Sequence, residues 1–371
     1  MRVLITGANG FIGKNLQLHL AERKDVETIF FTRKNDISEI SSLVKNVDFI
    51  FHLAGINRSN STDEFISGNF ELTKSICDAI VSSGRKIPII FTSSAHVLKE
   101  DIYGISKREA EDALFKFHHQ TNAPIHIFRL PNVFGKWCRP NYNSVVATFC
   151  NNSARNLPIH IHDIKAPLTL VYIDDVVERF IQLMDRADSD LDESGFEVVT
   201  PQYTTTVGEL ASHIESFKEY RTCLSVGRVG TGFLRALYST YISYLPSEAC
   251  SYKVKSYFDS RGKFVEILKT PDSGQISYFT SYPGSVRGGH YHHTKTEKFL
   301  VIKGRARFRF RNMLTDKIFE ILTDENTAEI IETIPGWSHD ITNVGSEEMI
   351  VMLWANEVFS PARPDTYAHS F

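Results

Sequence analysis

The sequence predicts two folded parts: an α/β, doubly wound parallel sheet, then from about residue 247 a small all-β barrel or sandwich. Three observations carry this. Up to about residue 180, β-branched apolar runs alternate with longer helical stretches, the pattern of a parallel sheet with helices on both faces. A glycine-rich turn follows the first run directly. After Pro246 the helical stretches stop, and short apolar runs broken by Gly, Asn and Asp continue almost to the end.

In chain order, the strand-like runs of the first part are Val3 to Thr6, Thr28 to Thr32, Phe49 to Leu53, Ile87 to Thr92 and Ile125 to Leu130. A less regular stretch from about 180 to 245 holds an apolar-periodic helix around Val207 to Phe217 and an aromatic segment, Tyr238 to Tyr244. The runs of the second part are Gln275 to Tyr282, Lys298 to Ile302, Ala306 to Arg311, Thr327 to Ile331 and Met349 to Trp354. In the third of these, Arg305, Arg307, Arg309 and Arg311 alternate with Ala306, Phe308 and Phe310, so one strand face carries four cations. A solvated outer face and an anion-binding inner face both fit that period.

With 371 residues, 42% hydrophobic and 23% charged, the chain suits one large and one small globular domain, here 1–246 and 247–371. A formal charge of -3 with scattered Lys and Arg supplies no electropositive field for nucleic acid. No apolar run approaches the roughly 20 residues that span a bilayer, and Met1-Arg2 enters a strand-like run without an export signal. The five cysteines, Cys77, Cys138, Cys150, Cys223 and Cys250, form no close pair, as expected of reduced thiols in a cytoplasmic protein.

Gly7-x-x-Gly10-Phe11-Ile12-Gly13 closes the first strand and opens a helix, which suits a dinucleotide pyrophosphate on the helix N-terminus of a Rossmann-like sheet. About 20 residues on, where an acid would bind the ribose hydroxyls of NAD, stand Thr32-Arg33-Lys34. Cations there suit a 2'-phosphate, hence NADPH. Tyr103 and Lys107, at i and i+4, share a helix face, and the ammonium is expected to lower the phenol's pKa and fit it for proton transfer. Ser93 and Ser94 end the preceding strand, within reach of a substrate carbonyl.

These residues, with His52-Leu53-Ala54-Gly55 on the fourth strand and Arg129-Leu130-Pro131-Asn132-Val133-Phe134-Gly135, resemble the extended short-chain dehydrogenase/reductase family acting on nucleotide sugars. The resemblance implies that Ser94 polarises a carbonyl, Tyr103 transfers the proton and Lys107 holds the nicotinamide ribose and the phenolate. It implies Leu53 and Ala54 at the cofactor, and Asn132 and Asn143 on the substrate side. The interval from serine to tyrosine is shorter than in most extended members, so Ser93 and Ser94 both remain candidates.

The second part contains Gly284-x5-His290-x-His292-x4-Glu297-x6-Gly304 and Pro335-Gly336-x2-His339-x3-Asn343. His290 and His292, two apart on a strand, share a face that Glu297 and His339 can close into a metal site. Three imidazoles and a carboxylate suit Zn, Fe, Mn or Ni, with zinc preferred. The spacing is that of a cupin, a jelly-roll barrel. Asp259-x-Arg261-Gly262-x-Phe264-x-Glu266 and Arg287-Gly288-Gly289-His290 further resemble nucleotide-sugar 3,5-epimerases of this type, which implies substrate contact by Arg287. A metal-bound His290 cannot also take a carbon-bound proton, which leaves Tyr291, His293 and Lys295 as candidate bases.

Over its whole length, with Gly135-Lys136-Trp137-Cys138, Pro140 to Val145, Tyr238 to Pro246 and Pro364-Asp365-Thr366-Tyr367 as further points of likeness, the chain resembles the CapF family of capsular polysaccharide synthesis enzymes. That likeness implies a homodimer with a zinc cupin. It also implies C3 epimerisation of a UDP-2-acetamido-2,6-dideoxy-4-ketohexose, then NADPH-dependent reduction at C4 to the L-talose sugar.

Overall fold

The computed structural model describes the chain apart from residues 60, 186–190, 192–194, 260–261, 266–267, 269, 271–273 and 358–361. Contacts gather it into two compact units, Met1–Val133 with Thr169–Tyr203, and Phe134–Leu168 with Thr204–Phe371. The sequence boundary at 246/247 falls inside the second unit.

The first unit is built on five parallel strands, β1 (Arg2–Thr6), β2 (Glu27–Phe31), β3 (Phe49–His52), β4 (Ile89–Ser94) and β5 (Ile125–Leu130), in the order β2-β1-β3-β4-β5. Helices α1 (Phe11–Ala21), α2 (Leu72–Ser83) and α3 (Ile102–Thr121) are among its crossovers. Leu4, Ile50, Ile89, Phe91 and Ile127 pack on one face against Ile76 and Ile80 of α2 and Ala110, Leu114 and Phe117 of α3. On the other face Phe51 and Phe128 meet Phe180. Burial on both faces is why β1, β3 and β4 read as continuous apolar runs, whereas the edge strand β2 is half-exposed.

One expectation needs correction: His52 ends the third strand, not the fourth. Residues Ile37–Leu43 form two short helical turns, nucleated by a capping box in which Asp36 accepts from Ser38 and Glu39 accepts from the Asp36 N–H. No further strand therefore lies between β2 and β3. The strand order reverses at β1 and β3, which opens the crevice where open α/β sheets bind ligands.

In the second unit, the helix Val207–Cys223 starts on a Thr206–Glu209 capping box and buries Phe217 against Tyr238 and Tyr241. Those tyrosines sit three apart on the helix Gly232–Ser243, which accounts for the aromatic segment as a packing stripe.

Besides a small antiparallel hairpin, Ser256–Asp259 with Gly262–Val265, the C-terminal region of this unit is two antiparallel sheets. Their strands are β6 (Ser251–Lys253), β7 (Gln275–Ser281), β8 (Val286–Tyr291), β9 (Glu297–Lys303), β10 (Arg305–Asn312), β11 (Ile318–Asp324), β12 (Glu329–Glu332), β13 (Trp337–Asn343), β14 (Met349–Ala355) and β15 (Tyr367–Ala368). One sheet runs β7-β14-β9-β12-β6 and the other β11-β10-β13-β8-β15. This is the jelly-roll architecture expected of a cupin. Phe299, Val301, Phe308, Phe310, Ile331, Ile341 and Val351 fill the space between the sheets. A buried charge network also ties the helix Val207–Cys223 to the barrel: Arg221 pairs with Glu332 at 3.0 Å, and Lys298 binds the same carboxylate.

The four alternating arginines are now placed. Ala306, Phe308 and Phe310 face the core, so the arginines lie on the opposite, outer face of β10, and the anion-binding inner face is ruled out. Arg309 pairs with Asp340, Arg311 with Asp316 at 3.1 Å and Arg307 with Glu320 at 4.0 Å.

Candidate active site and metal centre

The glycine turn is tight for steric reasons. Gly7 has φ 68, and a Cβ there would lie 2.6 Å from the Ala54 nitrogen; at Gly13 a Cβ would lie 2.4 Å from the Gly7 oxygen. Gly10 caps α1, so the N–H groups of Phe11, Ile12 and Gly13 occupy its first turn, where no intrahelical acceptor exists. The Gly7 N–H bonds the Phe31 carbonyl at 3.3 Å, which brings the end of β2 beside the turn. Arg33 and Lys34 follow immediately and are exposed. Asp36, the nearest acid downstream of β2, is engaged as a helix cap.

Leu53 and Ala54 are set by Thr6, whose carbonyl accepts from Leu53 N–H at 3.3 Å and whose hydroxyl accepts from Ala54 N–H at 3.1 Å. Behind them His52 is wholly buried between Thr6 (2.7 Å to Nδ1) and Thr73 (2.8 Å to Nε2). The Thr73 hydroxyl donates to the Asn69 carbonyl, so its oxygen accepts from His52 Nε2–H, and Nδ1 accepts from Thr6. Burial and the nearby Lys107 charge hold this imidazole neutral, its pKa lowered to about 3.

At the end of β4 the two serines part company. Ser93 donates to Glu111 at 2.5 Å, and Glu111 is held by Arg129 at 3.1 and 2.6 Å. Ser94 instead accepts from the His96 N–H at 3.2 Å and stands on the side of the Tyr103 phenol. Asp101 caps α3 by accepting from Gly104, which starts the helix that carries Tyr103 and Lys107. Lys107 is 5% exposed and donates to the Thr92 carbonyl at 2.9 Å. Burial brings its ammonium down to about 8, against the opposing pull of Glu111. The expected lowering of the phenol is not found: burial pushes Tyr103 above its ordinary range, and the Ser94 hydroxyl offsets only part of that.

Sequence reasoning missed Asn69. It is buried in a π-helical stretch, Ile66–Glu71, accepts from Ile56 N–H at 2.8 Å and donates to the Ser106 hydroxyl at 2.9 Å. Ser106 in turn donates to the Tyr103 carbonyl at 2.9 Å. Gly55 leaves room for this arrangement, since a Cβ there would lie 2.9 Å from Lys107 Nζ and 3.0 Å from Asn69 Oδ1. Of the residues expected on the substrate side, Asn132 is exposed and donates to the Thr169 carbonyl at 3.2 Å, and Asn143 is exposed. Arg287 is exposed and stacks over Phe279 at 5.1 Å.

In the barrel, His290, His292, Glu297 and His339 converge, with one donor atom from each within 4.8 Å of all the others. His290 pairs with His339 across β8 and β13, after a register shift between Gly288 and His290. Glu297 opens β9, fixed by exchange with Thr333: its N–H reaches the Thr333 hydroxyl at 2.8 Å and its carbonyl accepts from Thr333 N–H at 2.9 Å. Glu297 Oε2 lies 3.2 Å from His292 Nε2 and 3.4 Å from His339 Nε2. Donors on one tetrahedral zinc, each about 2.1 Å from it, stand about 3.4 Å apart. His339 has both ring nitrogens buried without a hydrogen-bond partner of good geometry, as suits a ligand. Burial lowers His290 to about 3, with His339 and His292 adding to the shift, and burial also lowers His339. Burial alone would raise Glu297, but His292 and His339 reverse this and hold it well below its usual range. Neutral His290 and His339 beside an ionised carboxylate are the forms in which such groups take up a divalent metal.

Of the three candidate bases, Tyr291 and His293 turn to the other face and pack on Tyr367, with ring centroids 5.5 and 4.9 Å away. Lys295 Nζ reaches Glu297 at 3.5 Å and Thr366 at 3.0 Å. The Asp259 to Glu266 motif lies outside the described side chains, and its Arg261 and Glu266 outside the described residues. No described helix is long and apolar enough to cross a membrane.

Comparison with known proteins matches residues 3–198 to the NAD dependent epimerase/dehydratase family and residues 257–367 to the polysaccharide biosynthesis C-terminal domain. The UDP-2-acetamido-2,6-beta-L-arabino-hexul-4-ose reductase of Pseudomonas aeruginosa is 56% identical over 370 residues, covering 100% of this chain and 99% of its own. The capsular polysaccharide assembling protein CapF of Staphylococcus aureus superimposes with a TM-score of 0.67 at 36% identity, over 100% of both chains. The UDP-glucose 4-epimerase of Thermotoga maritima shares the fold over 59% of this chain and 83% of its own, with a TM-score of 0.52 at 22% identity.

Proposed function

The chain belongs to the NAD dependent epimerase/dehydratase family and carries the polysaccharide biosynthesis C-terminal domain; from that premise we propose a bifunctional nucleotide-sugar enzyme. Its substrate is a UDP-2-acetamido-2,6-dideoxy-4-ketohexose. The barrel, residues 247–371, inverts C3, and the N-terminal part, residues 1–246, then reduces C4 to give the L-talose-configured sugar for a surface polysaccharide. The order follows from chemistry: the ketone that acidifies C3–H disappears on reduction. The carrying observation is the grouping of Ser94, at the end of β4, with Tyr103 and, one helical turn on along α3, the buried Lys107 ammonium.

When bound, NADPH supplies the hydride and zinc the positive charge that favours an enolate oxygen. Gly7, Gly10, Phe11, Ile12 and Gly13 would cradle the pyrophosphate, Leu53 and Ala54 would line the crevice, and Arg33 would meet the 2'-phosphate. Ser94 holds the C4 carbonyl oxygen, which Tyr103 protonates as hydride reaches C4. A phenol that burial keeps protonated is suited to giving a proton, the direction reduction needs. Asn132 and Asn143 serve the sugar in reduction and Arg287 the nucleotide sugar at the barrel. His290, His292, Glu297 and His339 would hold the metal, and Lys295, whose head group reaches that quartet, would as its free amine take the C3 proton, while a solvent water gives a proton to the opposite face and recovers one from the Lys295 ammonium. A homodimer and a cytoplasmic location complete the reading.

The test incubates the full chain with the UDP-4-ketohexose in heavy water without NADPH and follows C3–H exchange by NMR. Exchange that is lost in His290→Ala and kept in Tyr103→Phe is the expected result. Absence of exchange in the wild type, with NADPH still oxidised on addition, would reduce the protein to a 4-ketoreductase with a structural, metal-stabilised barrel. The printed name of the Pseudomonas relative, a reductase, favours keeping that second reading.

A further inference from the structure

The last residues of the chain are tied to the barrel more closely than a terminal segment needs to be, since termini fray unless specific contacts order them. The Asp365 carboxylate accepts from three consecutive backbone N–H groups, those of His293 (2.8 Å), Thr294 (2.7 Å) and Lys295 (2.6 Å), and from the Thr294 hydroxyl (2.9 Å). Residues 293–295 belong to the short link between His292 and Glu297. The Asp365 carbonyl also accepts from His292 Nδ1 at 2.5 Å. A carbonyl can only accept, so Nδ1 carries a hydrogen, and Nε2 is the ring nitrogen left to face a metal. Nε2 is the atom 3.2 Å from Glu297 Oε2.

Beyond Asp365 the tail continues along the other ligands. β15 pairs Ala368 with His290 and Tyr367 with Tyr291. The His369 N–H donates to Gly289 at 2.7 Å, and its carbonyl accepts from Ser338, the neighbour of His339, at 2.8 Å. The tail thus touches the chain at or beside His290, His292 and His339.

We propose that the C-terminal segment, through Asp365, is part of the metal centre: it fixes the His292 tautomer and the path of the link to Glu297, and so governs how tightly the metal is held. This rests on reading the quartet as a metal site. Asp365 is a positioning residue that acts through His292. Partners of this kind, which orient a ligating imidazole, typically change metal affinity by about 10- to 100-fold when removed.

The experiment measures zinc affinity of the full chain by competition with a chromophoric chelator, for wild type, Asp365→Asn, Asp365→Ala and a chain ending at Arg363, beside His292→Ala. Melting of each metal-free protein is recorded in parallel. The expected result is zinc binding about 10- to 100-fold weaker in the shortened chain, which alone loses the backbone carbonyl on His292 Nδ1, with smaller losses in Asp365→Ala and Asp365→Asn, which keep that carbonyl and lose carboxylate bonds to the link. If the shortened chain melts earlier yet binds zinc as wild type does, while His292→Ala loses it, the tail is only a strap on the barrel and the inference fails while the metal site stands. If wild type and His292→Ala bind zinc alike, the quartet is not the metal site and both readings fall.

Discussion

Replacing Glu111 by Gln should move the pH dependence of reduction. Glu111 lies one turn beyond Lys107 on α3, is 2% exposed, and is among the charges that act on that ammonium. The other groups around Lys107 are the neutral His52, the Thr92 carbonyl and Asn69, with Arg129 paired to Glu111 itself. Side chains at i and i+4 are about 6 Å apart, so with an effective dielectric near 20 a full negative charge favours the ammonium by roughly 332/(20 × 6), about 3 kcal/mol. Arg129 cancels much of this, which leaves about 1.4 kcal/mol, or about one pH unit. Lys107 sits at about 8, and without the carboxylate it would lose its proton at lower pH. The alkaline limb of kcat/KM for NADPH oxidation with the UDP-4-ketohexose should therefore move towards acid by about one pH unit. That amounts to a loss of about tenfold above the limb and little change near pH 6. A uniform fall at every pH, with the limb unmoved, would show that Glu111 only props Ser93 and would refute the electrostatic argument.

Two further outcomes follow from groups outside the proton path. Arg33→Ala should lower kcat/KM for NADPH about tenfold and leave NADH nearly unchanged, because an exposed cation on a 2'-phosphate contributes about 1.5 kcal/mol; equal losses with both cofactors would remove Arg33 from the phosphate. His52 titrates at about 3 in the folded chain against about 6.5 unfolded, so between those values the unfolded state binds the extra proton and stability falls as pH falls. Urea unfolding of His52→Gln should show a pH dependence over that window shallower than wild type by up to about 1.4 kcal/mol per pH unit. Parallel curves would mean that His52 is not buried neutral.

How far the sequence reveals this protein depends on how local each signal is. All five strands of the parallel sheet are readable as apolar runs, the inner ones because burial on both faces forces them, but their order is not. The crossover between β2 and β3 is decided by an Asp36–Glu39 capping box that collapses a potential strand into helical turns. The four candidate metal ligands can be read because two share a strand period and the others keep a characteristic spacing, and the structure brings those four side chains together. The edge strand β11 and the central strand β13 carry Glu320, Asp340 and other polar residues that interrupt the apolar pattern, and neither is named among the predicted runs. The choice between Ser93 and Ser94 depends on Glu111, 18 residues away, and the setting of His292 on Asp365, 73 residues away. Neither pairing leaves a trace in spacing, because a hydrogen bond across a fold constrains only two residues and no period. The direction of the Tyr103 shift fails for the same reason: i and i+4 spacing places an ammonium near the phenol, but the burial that outweighs it comes from the surrounding fold, including Phe65 packed at 6.1 Å. Residue types in a pattern therefore identify the chemistry available to a site, while protonation states and ligand orientation are set by partners that only the folded chain brings near.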